Sequence, residues 1–229
     1  MPNEILSFYE ICQREKSSLQ RGMNFRFRPT YSIVLMSVRK NSPYQDRVEN
    51  DGSIIIYEGH DERKSAITIP KIVDQPRYSF KGTLTENGKF EKAVQDYKLR
   101  GAPPERVKVY AKIREGIWSY NGLFLLTDCW TENDGQRNVF KYKLEAVEEI
   151  ALDQSFISST DYQHRRVIPT WVKLEVWKRD GGKCVKCGAP DNLHYDHDLP
   201  YSKGGTSITP ENVQLLCMRH NLEKSNKIE

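Results

Sequence analysis

Short apolar runs rich in Val, Ile, Tyr and Phe occupy residues 31–38 (YSIVLMSV), 53–59 (SIIIYEG), 107–113 (VKVYAKI), 122–130 (GLFLLTDCW) and 139–144 (VFKYKL). Runs of this length, enriched in β-branched and aromatic side chains, predict strands. Polar turn signals separate them: Asn50-Asp51-Gly52, Glu86-Asn87-Gly88, Tyr120-Asn121-Gly122 and Asn133-Asp134-Gly135. Elsewhere the spacing is helical. Ile5, Tyr9, Ile11 and Cys12, followed by Glu10, Arg14, Glu15 and Lys16, predict an amphipathic helix within residues 1–20 that packs on the body of the protein. Phe90, Ala93, Val94 and Tyr97 predict a helix over 88–99, stopped by Arg100-Gly101-Ala102-Pro103-Pro104. Val172 and Val176 predict a short third helix over 171–179.

The expected class is α+β. A strongly twisted, mostly antiparallel β domain (21–147) follows the N-terminal helix (1–20). Residues 148–170 are polar, lack a period and end at Pro169, which marks a linker before a small module at 171–229. The His164-Arg165-Arg166 run in that linker is either a DNA-backbone contact or an ordinary solvated cluster. The 229 residues, 38% hydrophobic and 29% charged, describe a globular protein with room for two domains. A net charge of +4 is compatible with nucleic acid and is weak support for it. No apolar run is long enough to span a bilayer, so no membrane role is expected.

The chemistry is concentrated at the end of the chain. Three of the five histidines and three of the five cysteines fall within CVKCG (184–188), LHYDHDLPYSKGG (193–205) and ENVQLLCMRHNLEK (211–224). Cys184-x-x-Cys187 and Cys217-x-x-His220 are two close ligand pairs, and two such pairs complete a tetrahedral structural Zn²⁺ site. His220 also admits another role, as a terminal catalytic residue with no zinc bound. Cys12 and Cys129 remain as free thiols, which suits a reducing, cytoplasmic setting. Between the ligand pairs lie Asp196-His197, and after them Asn221. A neutral imidazole at His197 can take a proton from water near neutral pH. Asp196 and Asn221 offer hard oxygen ligands to one Mg²⁺ or Mn²⁺. Adjacent side chains on a regular strand face opposite ways, so His197 must turn in where the strand ends, at Asp198-Leu199-Pro200. His194 is expected to pack or cap.

This residue order resembles the HNH, or ββα-metal, nuclease family over residues 171–227. Its parts are the C-x-x-C turn, Asp196-His197 on a first strand, a glycine-containing loop at 202–205, the second strand at 212–217, and a helix bearing Asn221. The resemblance implies a zinc-stapled DNA endonuclease and gives Asn212 the role of pinning the loop and orienting His197. The blocks YSIVLMSV, NSPYQDRVENDG, IIYEGH, VKVYAKI, WSYNGLFLLTDCW and VFKYKL resemble, in order and spacing, the SET and RING-associated (SRA, or YDG) domain over 21–147. That resemblance implies a curved β-barrel that grips DNA and flips out 5-methylcytosine.

A flipped cytosine needs flat faces to stack on and an acceptor for its amine. Tyr44 and Tyr57 are the candidate faces and Asp46 the candidate carboxylate, with Gly59 permitting close approach. Each is equally readable as an ordinary strand or turn residue. Arg26, Arg28, Arg39, Lys40, Arg47, Lys108, Lys112 and Arg114 are candidates for phosphate contacts, of which about half are expected to be plain surface charge. His60 is expected to be a loop residue near DNA.

Together the two resemblances imply a modification-dependent restriction endonuclease. It would act on double-stranded DNA bearing 5-methylcytosine or 5-hydroxymethylcytosine, without a nucleotide cofactor, as a homodimer that nicks one strand per chain. Two alternatives stay open: a non-catalytic reader of modified DNA, and an HNH nuclease whose β domain reads sequence instead of modification.

Overall fold

The computed structural model describes residues 3–20, 22–39, 42–65, 68–147, 168–200 and 203–224, the side chain of Asp51 apart. Lys40, Ser202 and residues 148–167, with the His164-Arg165-Arg166 run, lie outside the described residues.

Two long strands, β6 (Glu105–Arg114) and β7 (Ile117–Asn133), form an antiparallel pair at the centre of the β domain. β8 (Asn138–Ala146) adds to β7, β5 (Ile54–Glu58) to β8 and β4 (Arg47–Glu49) to β5, all antiparallel. On the other flank β3 (Tyr31–Met36) runs parallel to β6, and β2 (Met23–Arg28) runs antiparallel to β3. A parallel pair needs a long crossover. Here β4, β5 and the helix α2 (Glu86–Arg100) lie in the chain between β3 and β6.

Helix α2 starts where Thr85 accepts a hydrogen bond from Gly88 N, and it stops at Gly101, whose φ of 68° only glycine adopts at little cost. Its apolar stripe, Phe90, Ala93 and Val94, packs into the main core with Val34, Ile55, Val109, Phe124, Leu126 and Leu144. The expected Glu86-Asn87-Gly88 turn is therefore the first turn of this helix.

Two other expectations are corrected. Residues 1–20 do not form one helix: Ile5–Ser7 is a strand, β1, and helix α1 covers Phe8–Arg14. The break is a capping box. Glu10 N donates to Ser7 Oγ at 3.2 Å, and Ser7 N donates back to Glu10 Oε2 at 2.7 Å, so the helix starts only after Ser7. Tyr120-Asn121-Gly122 is not a turn but a β-bulge inside β7. Tyr110 pairs with Tyr120 and Val109 with Gly122, which leaves Asn121 as the extra residue and Gly122 at φ 102°.

The C-terminal module consists of α3 (Thr170–Arg179), the hairpin of β9 (Leu193–His197) and β10 (Val213–Cys217), and α4 (Met218–Lys224). Ile168, expected in the linker, is buried in the module's core with Val172, Val176, Tyr195, Val213 and Leu215.

Candidate active site and metal centre

Cys184 and Cys187 lie on a tight turn closed by Gly188 N donating to Cys184 O at 2.8 Å, with Gly188 at φ 73°. Cys217 ends β10 and His220 follows in the first turn of α4. The ligand atoms of all four residues lie within 4.8 Å of one another. Sγ of Cys184 is 3.3 Å from His220 Nδ1, and Sγ of Cys217 is 3.4 Å from the same nitrogen. Four soft donors at these separations fit one tetrahedral Zn²⁺. Burial pushes the Cys184 thiol up, but hydrogen bonds from the Cys217, Cys187 and Lys186 backbone and from His220 outweigh it and bring it to about 6. The thiolate that a zinc ion requires is thereby favoured.

The hairpin sets Asp196 opposite Gln214 and His197 opposite Val213, and β9 ends at His197. The loop that follows is stapled by Asn212. Its Oδ1 accepts from Leu199 N at 2.8 Å, and its Nδ2 donates to Leu199 O at 3.1 Å and Thr206 O at 2.9 Å. Gly205 is required here, because a Cβ would fall 1.8 Å from Leu199 O. Asn212 thus pins the loop. It is Ser207, the residue after Thr206, that meets the catalytic candidate: Ser207 Oγ lies 2.9 Å from His197 Nε2, and both residues are buried.

Helix α4 brings Asn221 and Lys224, three residues apart and so on one face, against the end of β9. Lys224 is completely buried. Its Nζ donates to His197 O at 2.6 Å and lies 2.9 Å from Asp196 Oδ2, an ion pair whose geometry is off the hydrogen-bond direction. Asn221, 6% exposed, has a buried Oδ1 with no hydrogen-bond partner among the described residues. A buried amide oxygen beside a carboxylate is a hard donor that fits a divalent cation. Sequence reasoning missed Ser207 and Lys224. The lysine was signalled by its i,i+3 spacing from Asn221; Ser207 carried no local signal. His194 is buried, as packing requires.

The pocket candidates of the β domain are placed differently. Asp46 is buried, with Oδ2 accepting from Ser37 N and Oδ1 from Glu58 N, both at 2.9 Å. Burial raises its carboxyl to about 7, against the pull of those two N–H groups. Beside it, Glu58 Oε2 accepts from Gln45 N and from the buried Lys141 Nζ, each at 2.9 Å. Tyr57 is 2% exposed and belongs to the main core. Tyr44 is half-buried. Its ring is stacked on His60 with centroids 6.1 Å apart, and Lys71 Nζ sits 4.5 Å from its centroid. A Cβ at Gly59 would meet Asn87 Oδ1 at 2.6 Å and Gln75 Oε1 at 2.7 Å, so the close approach this glycine permits is to the protein's own side chains. His60 pins the start of β2, accepting from Met23 N at 2.9 Å.

Most of the rim cations have partners within the chain. Arg26 pairs with Glu105 at 3.0 Å, Arg47 with Glu49 at 2.6 Å, Lys108 with Glu15 at 3.1 Å and Lys112 with Glu115 at 2.7 Å. Arg28 donates to Glu15 O at 2.5 Å, and Arg39 Nε lies 3.4 Å from Ser37 Oγ. The Arg114 guanidinium lies 5.5 Å from the Trp177 ring centroid of α3, which faces it toward the module. Of these, Arg26 and Arg47 stay substantially exposed; Arg26 pairs with the buried Glu105 and Arg47 with the exposed Glu49.

Residues 184–227, within the C-terminal module, match the family model of the HNH endonuclease. No curated protein matches the chain. Among solved structures it is similar to the SRA domain of SUVH5 in complex with hemimethylated CG DNA. The TM-score is 0.43 at 20% identity, over 62% of this chain and 83% of that one. The same SUVH5 domain bound to fully hydroxymethylated CG DNA gives 0.38 at 20% identity, over 56% of this chain and 75% of that one. SUVH6 of Arabidopsis thaliana in complex with SAM gives 0.40 at 16% identity, over 64% of this chain and 25% of that one.

Proposed function

We propose that this chain is a modification-dependent DNA endonuclease. In this reading the β domain flips and reads 5-methylcytosine or 5-hydroxymethylcytosine in double-stranded DNA, and the C-terminal module hydrolyses phosphodiesters. The observation that carries it is the orphaned, buried Asn221 Oδ1 on a helix whose next turn, through Lys224, touches both Asp196 and His197, inside a segment matching the HNH endonuclease family. The modified-base half rests on the order of sequence blocks over 21–147.

In the proposed reaction His197 takes the proton of the attacking water, its ring held by Ser207. Lys224 holds Asp196 and the end of β9 in place. Mg²⁺ or Mn²⁺ held by Asp196 and Asn221 would neutralise charge on the scissile phosphate and the departing 3′ oxygen. Cys184, Cys187, Cys217 and His220 would hold a Zn²⁺ that ties the turn at 184–188 to the start of α4, fixing the helix on which Asn221 sits directly after His220. One such centre per chain cuts one strand, and we assign a homodimer on DNA to cut both.

A second reading, a nuclease whose β domain reads sequence alone, draws on the burial of Tyr57 and the commitment of both Asp46 oxygens to backbone N–H groups. The nuclease half is tested by nicking of supercoiled plasmid with Mg²⁺ or Mn²⁺. His197→Ala is expected to lose about 10²–10⁴ in rate with zinc content unchanged. An unchanged rate would remove His197 from the mechanism.

A further inference from the structure

The chain's first described residues form a strand shared by the two domains. On one side Asn3 N donates to Tyr120 O at 2.5 Å and Tyr120 N to Glu4 O at 2.9 Å, and Ile5, Leu6 and Ser7 pair with Ser119, Trp118 and Ile117 of β7. On the other side Tyr195 N of β9 donates to Asn3 O at 3.1 Å, and Glu4 bridges to His194. The period-2 alternation of a strand then divides its side chains. Leu6 enters the β domain's second cluster with Tyr110 and Trp118, whereas Ile5 packs on both apolar clusters of the nuclease module.

A buried polar bond sits beside this strand. Lys173 of α3 is 0% exposed, and its Nζ donates to Ser119 Oγ at 2.9 Å and Asn121 Oδ1 at 2.6 Å, both on β7. Asn121 is the extra residue of the β7 bulge, and bulges re-aim a side chain. A buried amine away from water must find fixed acceptors for its N–H groups, and here they are Ser119 Oγ and Asn121 Oδ1. Lys173 therefore specifies one docking geometry where an apolar contact would tolerate several. Arg114 of β6 over Trp177 of α3 adds a third contact.

We infer that this seam, made of β1, Lys173 and the Asn121 bulge, locks the nuclease module onto the β domain and so fixes how far from the recognised base the DNA is cut. The inference rests on the functional reading above for the words "recognised base"; the lock itself does not. The alternative is that the connection 148–167 sets the reach. A flexible tether of roughly twenty residues spans about 25 Å root-mean-square, which would spread cuts over about seven base pairs.

The experiment uses the full chain with a specific protease site placed within 148–167, and separately with eight Gly/Ser residues inserted there. The lock predicts that the severed halves co-elute on size exclusion. It also predicts that, on a duplex with one modified cytosine, the insertion variant cuts at the same nucleotides as the unaltered chain. The seam variant Ile5→Glu/Lys173→Ala is expected to release the severed halves and, unsevered, to spread its cuts at least threefold more widely, with its zinc content showing that the module is still folded. Halves that separate without any seam substitution overturn the lock. Cuts that move or spread with the insertion overturn the fixed offset even if the halves co-elute. Digestion indifferent to modification overturns the functional reading and the offset with it, while co-elution still decides the lock. Should Ile5→Glu/Lys173→Ala fail to fold, the severed and insertion chains carry the test unaided.

Discussion

Two clusters of buried polar groups, one in each domain, are built to different ends. Around Asp46 every carboxylate oxygen named above is answered: Ser37 N and Glu58 N meet Asp46, while Gln45 N and Lys141 meet Glu58. Nearby, the buried Arg137 is met by Asp61 at 2.5 Å and Asp134 at 3.4 Å. At the end of β9 the network is incomplete, with Asn221 Oδ1 buried and unmet among the described residues. A satisfied network holds a structure in place, whereas an unmet buried acceptor is open to water or a ligand. The first cluster braces the strands β3, β4 and β5; the second is the proposed chemical centre.

The largest expected effect is in the zinc staple. Cys184→Ser, or removal of zinc by a strong chelator, should abolish nicking and unfold the module, because a structural zinc contributes about 10 kcal/mol or more. Zinc content and amide exchange across β9, β10 and α4 check this; a protected, active module without zinc would refute the staple. Next comes Lys224→Met, which leaves Asp196 buried without its cation and should cost about 3–5 kcal/mol by thermal melting. Mg²⁺ or Mn²⁺ is expected to restore part of that loss in this variant, by taking the place of the ammonium at Asp196. A smaller loss follows from Asp46→Ala, about 2–4 kcal/mol, since a buried and a part-buried backbone N–H lose their acceptor. If Asp46→Ala instead leaves stability unchanged and abolishes DNA binding, Asp46 reads the base and the comparison above is wrong.

The most gradual effect, smallest over any one pH unit, is in pH dependence. Asp46, raised by burial to about 7, keeps its proton in the folded state over a range where the unfolded chain has lost it, so its contribution to stability falls between about pH 4 and 7. Lys173, lowered by burial to about 7, is neutral when folded while the unfolded lysine is charged, so stability rises from about pH 7 toward 10. The slopes are on the order of 1 kcal/mol per pH unit, and from these two groups stability is lowest near neutrality. Lys173→Met should flatten the alkaline limb alone; a limb unchanged in that variant would assign it elsewhere.

Local signals made much of this legible in the sequence. The β-branched runs became β3, β5, β6, β7 and β8, and the Phe90-Ala93-Val94 stripe became the buried face of α2. The two short ligand pairs became one Cys₃His cluster, because their spacing is itself the geometry. What stayed hidden depended on partners far along the chain. Ile5 read as one position of a helix because the strand it joins lies more than a hundred residues away, at Ile117–Ser119. Asn121-Gly122 read as a turn because a bulge differs from a turn only by the strand opposite. Tyr57 read as an open aromatic face, since sequence alone cannot tell which side of a two-faced strand the helix α2 covers.

The division of labour itself, reading in one domain and cutting in the other, is tested most directly by one digest. Identical plasmids, unmodified, carrying 5-methylcytosine and carrying 5-hydroxymethylcytosine, are incubated with the full chain and Mg²⁺ or Mn²⁺, with His197→Ala alongside. Cleavage confined to the modified plasmids and lost in the variant is the predicted result. Equal cleavage of all three would leave a nuclease without a modified-base pocket, and binding to modified DNA without cleavage under either metal would contradict the account at its centre.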